Sequence, residues 1–176
     1  MAGPNRDERA WIRGAQAGSA SDFEALFRAS WPSAYRAAYL VVHDTAAAED
    51  IAQEAFLAAV RALDRFDRRR PFGPWLHRIV ANRALDLLRA ERRLSDEELP
   101  DTPDLAPAHA AGDRSLLASV AELQLERRVV IVLRYGVGMT PKQIAEAIDL
   151  PVGTVNSRLA RALEQLRESL EVEHVE

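Results

Sequence analysis

Apolar residues recur at helical spacing through two stretches of the chain, separated by a stretch with no such periodicity. In the first, Phe23, Leu26 and Phe27 mark a helix over roughly 22–30, with Ser21 or Asp22 as its cap. Pro32 opens a second helix that Ala34 to Val42 continue. Asp44 caps a third, running to about Phe66, and Pro74 suits the first turn of a fourth, running to about Arg93. Asp67-Arg68-Arg69-Arg70-Pro71-Phe72-Gly73 between them is a loop. In the second stretch a helix can start at Ser115, and an amphipathic segment over 123–135 ends near Gly136 and Gly138. Thr140 then caps a short helix with Pro141 in its first turn and Ile144, Ala145 and Ile148 on its buried side. Asp149-Leu150-Pro151 forms a turn. The last helix carries Val155, Leu159, Ala162, Leu163, Leu166 and Leu170 on one face.

This pattern predicts an all-α chain of two small helical domains, over 22–94 and 116–170, the second a helix-turn-helix domain. Residues 95–115 carry acids, prolines and small polar residues, and are expected to be a flexible acidic linker, because such composition does not repay the entropy of ordering. Residues 1–21 are read as an N-terminal tail and 171–176 as a C-terminal one.

Charge alters this picture only when it is located. The 176 residues have a formal net charge of −4, unexpected for a nucleic-acid binder. The acid is concentrated, however: net −5 over 94–115 and −3 over 171–176, against +3 over 23–93 and +1 over 116–170. Local patches, more than the total, decide phosphate contact. The absence of cysteine excludes disulfides and thiolate metal sites, and the four scattered histidines lack ligand spacing, so neither metal nor cofactor is expected. No apolar run is long enough to span a bilayer, and the first residues do not read as a signal peptide, so a cytoplasmic location without membrane insertion is expected. No nucleophile–base set, carboxylate pair or glycine-rich phosphate loop points to an enzyme.

Three polar faces remain. On the last helix Thr154, Ser157, Arg158 and Arg161 lie away from the apolar side, with Gly153 beside them; this is how a recognition helix presents itself to the major groove. On the fourth helix Trp75, Arg78, Asn82, Asp86, Arg89 and Arg93 share a stripe with Arg83 at its margin. An aromatic at the head of such a stripe can stack an unpaired base while cations follow the backbone. The loop before it adds Arg65, Arg68, Arg69, Arg70 and Phe72, and Asp86 is expected to pair with Arg83 or Arg89. On the third helix Asp50, Gln53, Glu54, Leu57 and Arg61 form a polar face with one apolar centre, suited to protein docking.

Three segments, AEDIAQEAF, FDRRRPFGPWLHRIVANRALDLLR and PVGTVNSRLARALEQLR, together resemble the signature stretches of bacterial RNA polymerase sigma factors of the extracytoplasmic-function class. The resemblance covers most of 22–170. It implies that Asp50, Gln53, Glu54, Leu57 and Arg61 dock on the clamp helices of core RNA polymerase. It implies that Arg68, Arg69, Arg70, Phe72, Trp75, Arg78, Asn82 and Arg83 read and melt the minus-ten element of promoter DNA. Gly153, Thr154, Asn156, Ser157, Arg158 and Arg161 would read the minus-thirty-five element. The acidic linker would thread the polymerase channels, and an anti-sigma factor would be a partner, holding any zinc or thiol sensor. Relatives often carry Lys where this chain has Asn156, a basic or aromatic residue where it has Ala160, and Leu-Pro where Leu123-Gln124-Leu125-Glu126 stands. Two other readings fit parts of the pattern: a stand-alone helix-turn-helix regulator with a signal-receiving N-terminal domain, and a helical adaptor whose basic faces are merely solvated.

Overall fold

The structure, a computed structural model, describes residues 6–94 and 111–173. Among them the regular elements are all helical: α1 (Arg6–Gln16), α2 (Ala20–Val42), α3 (Thr45–Ala62), α4 (Phe72–Leu94), α5 (Ala111–Glu122), α6 (Leu125–Ile131), α7 (Pro141–Ile148) and α8 (Val152–Glu173). A 3-10 turn, Leu63–Arg65, follows α3, and a π-helical turn, Val132–Gly136, follows α6.

Helices α2, α3 and α4 pack on one another, and α1 lies across α2. The packing follows from side-chain size. Ala48, Ala52, Ala55 and Ala59 form a buried stripe of methyl groups on α3, which lets its neighbours approach closely. Phe56 fills the space beside them and meets Phe27 and Trp31 of α2 with ring centroids 4.7 and 5.8 Å away. From α4 come Leu76, Val80, Ala81, Ala84 and Leu85, all buried. The second unit wraps α5, α6 and α7 around α8 through Leu123, Val129, Leu133, Ile144, Val155, Leu159 and Leu166.

Local chemistry explains most helix ends. Asp44 caps α3, its Oδ1 accepting from the Ala47 N–H at 2.6 Å. Thr140 and Gln143 form a reciprocal capping box at α7, with Pro141 in the first turn. Asp149 ends α7 in the left-handed conformation, φ 53°, which makes the tight turn into α8.

Several expectations are corrected. Pro32 does not open a helix; α2 runs unbroken through it from Ala20 to Val42, capped by Ser19 rather than Ser21 or Asp22. A mid-helix proline costs about 3 kcal/mol. Here it lies on the exposed side of a helix that buries Leu26 before it and Ala34, Ala37, Ala38, Leu40 and Val41 after it, and that burial outweighs the missing bond. The segment read as an N-terminal tail contains α1, with Ile12 fully buried. Helix α5 starts at Ala111, inside the stretch read as linker; residues 95–110 lie outside the described residues. Helix α8 continues to Glu173, into the segment read as a C-terminal tail. Leu163, placed on the apolar side of that helix, is 41% exposed.

The two units touch. Arg128 of α6 donates to the Val41 carbonyl near the C-terminal end of α2 at 2.9 Å, and also to the Ala121 and Leu123 carbonyls of its own unit. A cation at that end of α2 is favoured by the helix dipole. Beside it, His43 ends α2 at φ 57° with its ring buried; burial first, then the charge of Arg128, pushes its pKa from the ordinary 6.5 down to about 4. Burial likewise lowers His77, although its Nδ1 donates to the Gly73 carbonyl at 2.6 Å. Both rings are therefore neutral in the fold and take up a proton more readily once unfolded. For His43 this stabilisation is complete above pH about 6.5 and declines as the pH falls toward 4, and His77 acts in the same direction. Melting temperature is expected to drop through that window. His43→Asn, which suits a left-handed backbone, should flatten the drop.

Candidate nucleic-acid and protein interfaces

Helix α3 fixes the first face. Its buried stripe turns Asp50, Gln53, Glu54, Leu57 and Arg61 outward, and all five are exposed. Leu57 is 56% exposed, and Val60, one turn on, is 45% exposed, so the apolar centre is larger than Leu57 alone. Sequence reading missed Val60, although its spacing of three from Leu57 was available as a signal.

The second surface begins in the loop after the 3-10 turn. Asp67 Oδ1 accepts from the Arg69 N–H at 3.0 Å and from its Nε at 3.1 Å, while the Arg70 N–H donates to the Asp67 carbonyl. This is a turn built on an aspartate side chain. The Arg69 guanidinium holds the Asp67 carboxyl below its ordinary range, the side-chain hydrogen bond mattering most. Arg69 thereby helps to shape the loop, yet its side chain is 91% exposed, and Arg68 and Arg70 are exposed beside it.

Trp75 is held by two rings, Phe66 at 4.7 Å and Phe72 at 5.4 Å between centroids, and remains partly exposed. Phe72, expected at the DNA surface, is only 1% exposed and wedged between Phe66 and Trp75. It cannot touch a base from there, and its ring supports Trp75 instead. Arg78 and Arg83 are exposed and Asn82 half-buried along α4. Arg83 approaches Glu54 of α3 at 3.9 Å, an exposed pair worth at most about 1 kcal/mol. The loop and the head of α4 are also held from behind: the Phe72 N–H donates to Glu8 of α1, and Gln16 of α1 donates to two carbonyls before the loop. Neither α1 residue stands out in the sequence. The only local sign is the apolar turn made by Trp11, Ile12 and Ala15, which is short.

Trp75 and Arg78, with Arg70 and Pro74, line a cleft whose other wall is Met139 and, on α7, Gln143, Glu146 and Ala147. The second unit therefore lies over part of this stripe.

The third surface is the N-terminal half of α8. Gly153, Asn156, Ser157 and Arg161 are exposed, Thr154 and Arg158 half-exposed, and Val155 and Leu159 buried behind them. Nothing lies within 4 Å of a Cβ built on Gly153, so the helix start is open to a ligand. The Ser157 hydroxyl donates to the Thr154 carbonyl at 2.9 Å and offers a ligand chiefly its acceptor lone pairs. Arg161 lies in a shallow groove beside Glu164 and Glu168, whereas Arg158 sits nearer the helix start. Among the described residues no His/Asp/Glu cluster could hold a metal ion, and no helix is long and apolar enough to cross a membrane.

Known proteins place this chain in a family. Residues 26–94 match the model for Sigma-70 region 2, and residues 113–166 that for Sigma-70 region 4. The chain is similar to the ECF RNA polymerase sigma factor SigW of Bacillus subtilis, with 32% identity over 153 residues that span 77% of this chain and 82% of SigW. It is similar to the RNA polymerase sigma-E factor of Streptomyces coelicolor, with 32% identity over 158 residues, 87% of this chain and 88% of that protein. The solved structure of CnrH in complex with the cytosolic domain of CnrY superposes with a TM-score of 0.70 at 29% identity, covering 94% of this chain and 98% of the matched one. The chain belongs to the ECF RNA polymerase sigma factors. It is a transcription initiation factor that directs RNA polymerase to promoters, and the stand-alone regulator is not favoured.

Proposed function

We propose a division of labour among the three surfaces. The α3 face, Asp50, Gln53, Glu54, Leu57, Val60 and Arg61, docks on the clamp helices of core polymerase. The loop cations Arg68, Arg69 and Arg70 and the stripe of Trp75, Arg78, Asn82 and Arg83 capture and open the minus-ten element. Gly153, Thr154, Asn156, Ser157, Arg158 and Arg161 read the minus-thirty-five element in the major groove. The observation that carries this reading is that each polar surface stands on its own helix, backed by that helix's buried face, with the α3 and α4 surfaces adjoining at Glu54 and Arg83.

Because α7 lies over Trp75 and Arg78, promoter capture requires the second unit to move off α4, and docking on polymerase supplies that separation. The acidic segment between the two units follows the polymerase channels that nucleic acid otherwise occupies. An anti-sigma factor gripping both units would hold the closed arrangement. The chain contributes binding and strand opening, and the synthesis chemistry belongs to polymerase; its place of work is the cytoplasm.

The α8 assignment has its own test. Promoters selected from random DNA by holoenzyme carrying Arg158→Ala and Arg161→Ala should show a relaxed minus-thirty-five preference. Each lost base contact weakens discrimination by about 1–3 kcal/mol, and each lost phosphate contact lowers the salt slope by about one. Polymerase affinity should not change. An unaltered preference in the selected DNA would remove α8 from promoter reading.

A further inference from the structure

Helix α1 lies outside the segment that matches Sigma-70 region 2, which starts at residue 26. It nevertheless holds both ends of the arginine loop. At the entry, Gln16 Nε2 donates to the Leu63 carbonyl at 2.8 Å and to the Phe66 carbonyl at 3.1 Å. At the exit, Glu8 Oε1 accepts from the Phe72 N–H at 2.8 Å. Phe72 is the first residue of α4, so that N–H has no partner within its own helix. A carboxylate from another helix thus serves as the cap of α4, and a charged acceptor at a helix start makes the stronger kind of hydrogen bond. Glu8 and Gln16 lie eight residues apart on α1, roughly 12 Å at about 1.5 Å per residue, and one rigid helix therefore sets the distance between the two ends of the loop.

Helix α1 cannot easily slide. Ile12 is fully buried, and a Cβ built on Gly14 would clash with the Asp22 carboxylate, so α1 and α2 touch closely at that point. Between its anchors the loop has the turn at Asp67 as its internal support. The rings of Phe66 and Phe72, which hold Trp75, sit at these same two anchors.

We infer that Glu8 and Gln16 of α1 are positioning residues for promoter opening: they clamp the entry and exit of loop 66–72 and so set Arg68, Arg70 and Trp75 in the register that captures the minus-ten strand. The inference rests on the reading of that loop and stripe as the minus-ten surface. It does not involve the docking face, which lies on the body of α3.

The test uses full-length chain, core polymerase from the same organism, and a promoter duplex selected from random DNA by the wild-type holoenzyme. Opening is read as permanganate reactivity of minus-ten thymines, and polymerase affinity is measured in parallel. Glu8→Ala and Gln16→Ala are each expected to slow opening about tenfold, with polymerase affinity kept within about twofold. Glu8→Gln keeps an acceptor for the Phe72 N–H and should return opening to within about threefold of wild type. Opening at the wild-type rate by Glu8→Ala and Gln16→Ala, while Trp75→Ala opens more slowly, would overturn the positioning role alone. Normal opening by Trp75→Ala would overturn the minus-ten reading beneath it. If Glu8→Ala lost polymerase affinity in step with opening, or if Glu8→Gln were as defective as Glu8→Ala, α1 would be a general brace, and the inference would fail.

Discussion

Holoenzyme carrying Trp75→Ala is expected to open its promoter between about fivefold and a hundredfold more slowly than wild type, with polymerase affinity unchanged. Stacking of one base on an aromatic ring contributes about 1–3 kcal/mol, and each 1.4 kcal/mol is about a factor of ten. Trp75 is suited to this because it is only partly buried: Phe66 and Phe72 fix its ring, and the remainder lines the cleft toward α7. The same contacts mean that alanine also removes packing, so Trp75→Phe is the informative companion. It keeps an aromatic neighbour for Phe66 and Phe72 with a smaller stacking face, and should fall between the other two. Permanganate footprinting measures opening, and thermal melting reports any loss of fold. Trp75→Ala opening at the wild-type rate would return Trp75 to a purely packing role.

Leu57→Asp is expected to weaken binding to core polymerase at least thirtyfold. Leu57 and Val60 are the exposed apolar centre of a face ringed by Asp50, Gln53, Glu54 and Arg61. Residues buried at the centre of an interface carry most of its energetics, truncation of one can cost about 2 kcal/mol, and a carboxylate in place of Leu57 adds the cost of desolvating a charge. Since Leu57 already faces solvent in the free chain, the substitution should change folding stability by less than about 0.5 kcal/mol. Equilibrium titration of labelled polymerase measures the effect. Gln53→Ala should weaken binding less, and an unchanged affinity for Leu57→Asp would move the docking face elsewhere.

Features decided by neighbouring residues are legible in the sequence. The Asp44 cap, the Thr140 cap with Pro141, and the turn at Asp149 are local arrangements, and their sequence signs correspond to what is found. The exposed faces of α3 and α8 are legible for the same reason, since helical periodicity separates them from the buried sides. Local signs mislead where tertiary packing outweighs them. Pro32 reads as a helix start, yet the apolar residues on both sides of it bury together and carry α2 through. Phe72 reads as part of the arginine loop it follows, but the start of α4 turns its ring inward onto Phe66. Arg128, within an amphipathic segment, gives no sign that it will reach the Val41 carbonyl 87 positions away. Helix α1 is short, and its purpose emerges only when Glu8 meets Phe72 across 64 positions.

The chain directs polymerase to promoters, a choice of start site in which both of its units are proposed to contact DNA. Reconstituted transcription with core polymerase and genomic DNA from the same organism, read by sequencing of RNA 5′ ends, puts that choice to the test. A small set of discrete starts is expected only when this protein is added. These starts should share spaced upstream elements and vanish with Trp75→Ala combined with Arg158→Ala and Arg161→Ala. Starts indistinguishable from those of core polymerase alone, or a set that survives the triple substitution, would contradict it.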